Sequence, residues 1–235
     1  MAELRSCIAD NLGRVRQQIA EAATRSGRDV SDIALVAVTK YVDVDAVQAL
    51  LDLGCNDLGE SRPQELWRKA EALSAANVHW HFIGHLQRNK VRRTLPHITL
   101  LHACDSLRLL DEIDRTAGDS ASDVKVLLEV NISGDASKHG FRPAEMPSVI
   151  ESLSGFKHVQ ICGLMGMASL TGTIADARRE FESLRLLRDS LVKSLPAGVE
   201  LNELSMGMSG DFEVAIEEGA TIVRVGSALF EGLDA

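Results

Sequence analysis

The first pattern in the chain is helical. Leu4, Ile8, Leu12, Val15, Ile19 and Ala22 recur at three- and four-residue spacing with charges between them. This predicts one long amphipathic helix over residues 2–28 that Gly27 can end, with an apolar stripe that needs a surface to lie on. Residues 33–39 then form a short apolar, β-rich run, followed by an amphipathic stretch at 43–53 that stops at Gly54. A strand is thus followed by a helix, and the alternation recurs. Strand-like runs appear near 57–59, 80–84, 98–103, 124–131, 159–165, 203–206 and 221–225. Helical patterns lie between them at 62–73, 87–94, 106–117, 144–153, 175–195 and 211–218, with a last short one from Ser227.

Near-continuous apolar strands such as 33–38 and 126–130 suit a sheet covered on both faces, the habit of parallel strands joined by crossover helices. Eight such units in 235 residues match the expected size of a (β/α)8 barrel, a TIM barrel, and the whole chain reads as one such domain with the amino-terminal helix packed on it. An open doubly wound sheet is the alternative, but the Gly-rich phosphate turn of a dinucleotide fold does not follow the first strand. The loops at 118–122 and 170–173 read as ordinary connections.

Composition narrows the function classes. The chain has 25 Lys and Arg against 34 Asp and Glu, a net charge of −9, which lacks the basic footprint of a general nucleic-acid or anionic-membrane binder. Charges scattered through the first helix leave no signal-peptide core or membrane span there, so a cytoplasmic location is expected. Cys7, Cys55, Cys104 and Cys162 form no CxxC pair, so they read as free thiols, without a zinc ribbon or redox motif.

In such barrels chemistry sits at the carboxyl ends of the strands. The first strand ends at Thr39-Lys40, and alternation puts Lys40 on the face of Val36 and Val38. If that face points inward, its amine emerges at the mouth amid apolar neighbours, which disfavour ammonium and favour attack on a carbonyl. Near the other end, Leu204-Ser205-Met206-Gly207-Met208-Ser209-Gly210-Asp211 closes one strand and opens a helix, and Val223-Arg224-Val225-Gly226-Ser227 closes the next. Loops after the seventh and eighth strands commonly bind phosphate through free N–H groups. Gly207, Gly210 and Gly226 allow close backbone approach, and Ser209 and Ser227 either donate their hydroxyls or cap helices. Arg224 can aim its donors across a ring-shaped ligand or pair with a carboxylate. A nucleophilic lysine, a phosphate cup and an arginine between them fit one ligand economically, pyridoxal 5′-phosphate.

The strings VAVTKYVDVDAVQALLDLGCNDLGESRPQE from Val36, HWHFIGHLQRNKV from His79, VLLEVNISGDASKHGF from Val126, GLMGM from Gly163 and LSMGMSGDFEVAIEEGATIVRVGSALFEG from Leu204 resemble the pyridoxal phosphate homeostasis proteins, the YggS/PROSC-type family, over nearly the whole chain. The resemblance implies a single barrel similar to the amino-terminal domain of alanine racemase. It implies that Lys40 holds pyridoxal 5′-phosphate covalently as a Schiff base, that Ser209, Gly226 and Ser227 with the Met208 backbone hold the phosphate, and that Arg224 lies beside the pyridine nitrogen. Where the family often has an asparagine at the cofactor region, this chain has Ser61. Near the carboxyl end the family usual IFG is replaced by Leu229-Phe230-Glu231-Gly232.

Members of that family are described as carriers or regulators of the cofactor without an established turnover, which makes apo-enzymes that use it the expected recipients and a monomer or weak homodimer the expected state. A racemase-like enzyme is the alternative. It needs a second base, and the sole tyrosine, Tyr41, is directed away from Lys40 if the strand continues through it. A metal-dependent barrel hydrolase is the rival from another class, resting on His79, His81 and His85. Because no carboxylate-rich motif ends the last strand, and Trp80 and Phe82 fit an ordinary half-buried strand, no metal site is expected in the chain. Glu129, Asn131, Met165 and Met167 fall near the barrel mouth, with packing the expected role of the methionines, and Lys138, His139 and Arg142 are candidates for an anion-binding rim.

Overall fold

The computed structural model describes residues 2–120, 122–135, 138–196 and 199–233. Ala121 of the 118–122 connection and Ala136 and Ser137 of the string from Val126 lie outside the described residues.

Eight parallel strands close into a barrel in sequence order. Helix α1 (Ala2–Arg25) precedes β1 (Ala34–Val38), and α2 (Val44–Asp52) leads to β2 (Asp57–Glu60). Then come α3 (Pro63–Ala72), β3 (His79–Phe82), α4 (Val91–Thr94), β4 (Leu100–Cys104), α5 (Leu107–Asp119) and β5 (Val124–Glu129). The remainder is α6 (Met146–Ser152), β6 (Val159–Met165), α7 (Ile174–Leu191), β7 (Glu203–Ser205), α8 (Phe212–Glu217) and β8 (Ile222–Val225), and β8 pairs back onto β1 with Val36 opposite Arg224.

Every predicted strand is present, most of them trimmed by one or two residues at an end. Helical patterns expected at 87–94 and 144–153 are broken into short 3-10 and α pieces. Pro96 and Pro143 each sit in a 3-10 turn, where a missing backbone N–H is tolerated. Thr173 caps α7, its hydroxyl accepting from the Asp176 N–H while the Asp176 carboxylate accepts from the Thr173 N–H. No described helix is long and apolar enough to cross a membrane.

Strand alternation sorts the core into two layers. Val36, Leu100, Leu127, Met165 and Ile222 fill the barrel interior, while Ala37, Leu58, Leu128, Val223 and Val225 face the outer helices. Among the described residues, β8 is followed by no helix longer than a three-residue 3-10 turn, Ser227–Leu229. The outer surface at the β8–β1 seam is covered instead by α1, whose Ile8, Leu12, Val15, Ile19 and Ala22 are buried as the spacing predicts. At 24 residues this helix is about 36 Å long. Its Leu4 reaches the barrel mouth, while Arg28 just beyond its other end donates to the Ala220 carbonyl at 2.7 Å, before β8 begins.

Strands β6 and β7 approach closely at Gly163. A Cβ there would lie 1.9 Å from the Glu203 carbonyl oxygen, a backbone atom that cannot step aside. Gly163→Ala is expected to lower stability by about 3 kcal/mol or more, the upper end of overpacking costs. Urea unfolding of the two proteins checks this.

Candidate functional site

A cavity of about 860 Å³ opens at the carboxyl ends of β8, β1 and β2. Lys40, Ser61, Met208, Ser209, Arg224, Gly226 and Ser227, the residues singled out from the sequence, all line it, together with Tyr41.

Lys40 owes its place to a buried ion pair that the sequence reading passed over. The Lys69 ammonium, fully buried on α3, donates to Glu60 Oε2 and to the Thr39 carbonyl, both at 2.7 Å. The other Glu60 oxygen accepts the N–H groups of Ser61 at 2.8 Å and Arg62 at 3.3 Å. Thr39 is tied again by its N–H to the Gly59 carbonyl at 2.8 Å. One pair of charges thereby fixes the backbone on both sides of the cavity wall, next to Lys40 and at Ser61. Leu66, Lys69 and Leu73 share a face of α3, so a lysine within an apolar stripe was the available signal.

Tyr41 departs from expectation. β1 ends at Val38, and the Val42 N–H closes a turn onto the Thr39 carbonyl at 3.1 Å, so strand alternation stops before residue 41. The Tyr41 ring is exposed at the cavity mouth, its centroid 4.9 Å from Lys40 Nζ and 5.7 Å from the Arg62 guanidinium. It stands on the side of Lys40, not away from it.

At the far wall, the Gly226 and Ala228 N–H groups both donate to Ser209 Oγ, at 3.1 and 3.3 Å. Two backbone donors of the turn after β8 thus converge on one oxygen at the cavity edge, the donor arrangement an anion needs. Neither serine stands at an N-cap position, which Asp211 and Gly226 occupy, but Ser209 caps the Ser227–Leu229 turn from across the loop, so an anion would take over N–H groups that its hydroxyl now holds. Met208 lines the cavity, but its N–H is committed to the Asp211 carboxylate at 2.6 Å. Gly207 has φ +92°, and a Cβ there would meet Ala215 at 2.6 Å, so the turn requires glycine.

Arg224 is buried and reaches into the barrel, donating to Ser205 Oγ at 2.5 Å and to the Gly166 carbonyl at 3.1 Å. Its hydrogen bonds go to these neutral oxygens and not to a carboxylate. Burial pushes it down to about 10, partly offset by the charges of Asp211 and Glu129, which leaves it a cation at neutral pH.

Ser205 is the second member of a chain of hydrogen bonds through the barrel. His102 Nδ1 lies 2.8 Å from Ser205 Oγ, His102 Nε2 lies 2.8 Å from His81 Nδ1, and His81 Nε2 lies 3.2 Å from Asp57 Oδ1. One direction satisfies every atom: Arg224 donates to Ser205, Ser205 to His102, His102 to His81, and His81 to Asp57, with both imidazoles neutral. Burial, then the adjoining His81 ring and the Arg224 charge, holds His102 well below the usual imidazole range.

His79 and His81 converge on Asp57 at the amino-terminal end of the barrel, whereas His85 lies beyond the carboxyl end of β3 beside Asp105. The three histidines therefore form no common cluster. Met165 packs in the interior and Met167 lines the cavity. Glu129, at the end of β5, is pushed up to about 7 by burial and by Asp105. Asn131 folds its own loop, accepting the Gly134 N–H at 3.1 Å, and Lys138 Nζ donates to the Ala168 carbonyl at 3.0 Å.

Two outcomes follow for stability. Lys69→Met leaves Glu60 buried and unpaired and should cost about 3–5 kcal/mol, while Glu60→Gln combined with Lys69→Met should cost less than the sum of the single changes, read from urea midpoints in a double-mutant cycle. His102 has a depressed folded value, so below the ordinary imidazole range the unfolded chain takes up a proton that the folded one refuses. Its contribution is present above about pH 6.5 and lost on acidification. Urea unfolding between about pH 5 and about pH 7.5 should show this slope in the wild type and a shallower one in His102→Gln.

The family model described as "Alanine racemase, N-terminal domain" matches residues 11–234. A pyridoxal phosphate homeostasis protein of Aquifex aeolicus is 39% identical over 94% of this chain and 96% of its own length. The structure of PipY from Synechococcus elongatus PCC7942 with PLP bound aligns with a TM-score of 0.83 at 34% identity, covering 95% of this chain and 99% of that one. An alanine racemase of Clostridium difficile, 16% identical, shares the fold with a TM-score of 0.74, over 96% of this chain and 58% of its own. Barrel, cavity and relatives agree, and the chain belongs to the family of pyridoxal phosphate homeostasis proteins.

Proposed function

We propose that the protein binds pyridoxal 5′-phosphate in the cavity above β8, β1 and β2, with Lys40 as its covalent anchor, and carries it to acceptors without turning over a substrate. The observation that carries this reading is the meeting in one cavity of a primary amine, an N–H turn suited to an anion, and a buried cation. The PLP-bound structure of the related PipY supports it.

The residues fit the group by their chemistry. Gly226, Ser227 and Ser209, with Ala228, would hold the phosphate, and Arg224 would lie at the ring. When bound, the cofactor supplies an aldehyde that condenses reversibly with primary amines. Lys40 is the amine at hand, and Tyr41 and Arg62 stand beside it at the opening, where an incoming amine would arrive. Ser61, in place of a longer amide side chain, leaves room for water at that wall.

Arg224 favours carrying over catalysis. Anchored by Ser205 and Gly166 and charged at neutral pH, it would have no proton to accept from a ring nitrogen and none it readily gives up. The ring would then be a weak electron sink, which discourages chemistry at an amino acid's α-carbon. Tyr41, on the side of Lys40, is poorly placed to serve the opposite face of a bound amino acid as a racemase requires.

Lys40→Ala should abolish transfer of pyridoxal 5′-phosphate from the protein to an apo-enzyme that requires it, measured as recovery of that enzyme's activity. Undiminished transfer would overturn the proposal. Interconversion of L- and D-alanine by the wild type above background would replace the carrier reading with the racemase one.

A further inference from the structure

Across the mouth from the Gly226 turn, a second group of side chains converges. His85 follows β3, Asp105 follows β4, and His139 lies in the connection after β5, so three successive strands deliver them to one stretch of rim. Asp105 Oδ2 lies 2.7 Å from His85 Nδ1 and 3.7 Å from His139 Nδ1, and all three donor atoms lie within 4.8 Å of one another. Ser106 Oγ donates to the other Asp105 oxygen at 3.1 Å, which holds the carboxylate so that Oδ2 faces the imidazoles. The two imidazole rings stack with centroids 4.2 Å apart and planes 14° from parallel.

We propose that His85 Nδ1, Asp105 Oδ2 and His139 Nδ1 form a binding site for one divalent transition-metal ion, with zinc the best match. Zinc sits roughly 2.0–2.2 Å from nitrogen and carboxylate donors, so tetrahedral ligand atoms stand roughly 3.3 Å apart. The observed 2.7 and 3.7 Å bracket that spacing, and the ion requires the two exposed imidazoles to rotate out of their stack so that both in-plane lone pairs converge on it. Two imidazoles and one carboxylate select zinc or a neighbouring transition metal over magnesium and calcium, which prefer all-oxygen sites. Asp105 is nearly buried, while the His85 and His139 side chains are 43% and 61% exposed. The ion therefore has an open path in and a position left for water.

Bound there, it would clip the connection after β5 to the rim formed by β3 and β4. None of these residues lines the cavity of Lys40, so the site stands or falls independently of the cofactor. The second histidine group, His79 and His81 on Asp57, provides an internal control, because one nitrogen of His81 is already taken by His102.

The test uses the full-length protein after chelator treatment and dialysis, titrated with Co2+ and then Zn2+. One equivalent of Co2+ should bind, give d–d absorption without a thiolate charge-transfer band, and be displaced by Zn2+, and saturating Zn2+ should raise the melting temperature. His139→Ala, at an exposed position, and Asp105→Asn should each weaken zinc binding by more than the roughly 10–100-fold that loss of an outer-shell partner costs. His79→Ala should leave it unchanged. The inference is overturned if wild type and His139→Ala bind zinc equally, if wild type takes up none, or if a thiolate band places the ion on a cysteine.

Discussion

The site depends on two opposite charges, Lys69 and Glu60, held in contact where no water reaches them. Taking both out of water costs several kcal/mol per ion, and their mutual attraction offsets this only when the remaining hydrogen-bonding capacity is also met. Here the Thr39 carbonyl and the N–H groups of Ser61 and Arg62 help to meet it. An apolar pair of equal volume could fill the same space. It could not hold three backbone groups on two strand ends at fixed positions, and those strand ends carry Lys40 and Ser61. The pair is thus better understood as a device for position than for stability.

A comparable economy operates inside the barrel. Interiors of this fold are ordinarily packed with branched apolar side chains, yet a polar chain runs here from Arg224 to Asp57. Its polarity is set at both ends: a guanidinium can only donate, and an ionised carboxylate can only accept. The intervening serine and two imidazoles then have one consistent orientation, and the Arg224 side chain is held by groups well below the cavity. Asp57 is held low, chiefly by its hydrogen bond from His81, consistent with an anion at the far end. On the proposed function, this rigid cation lining the cavity would keep a bound ring from drawing electrons, which suits holding a phosphorylated aldehyde more than reacting through it.

The barrel was legible because its signals are repeated and local. Eight apolar runs, each followed by amphipathic periodicity, over-determine the architecture even where individual boundaries slip. Lys40, Arg224 and the Gly226–Ser227 turn were legible because strand ends and glycine turns are written in adjacent residues. Lys69 left only a weak signal, a lysine in line with Leu66 and Leu73, since its burial is decided by how α3 lies against β1 and β2. Tyr41 was misplaced for a related reason: the alternation rule holds only while the strand lasts, and β1 stops at Val38. The histidines at 79, 81 and 85 share a motif in the chain but not in space, because β3 ends between them.

On the proposed function, backbone restraint at Thr39 makes Lys40, among all the amines of the chain, the one that would meet pyridoxal 5′-phosphate. Borohydride reduction of the protein loaded with pyridoxal 5′-phosphate, followed by peptide mapping, tests it most directly. A pyridoxyl group confined to Lys40 is the predicted result. Label on Lys69, or spread across surface lysines with Lys40 unmodified, would rule Lys40 out as the anchor.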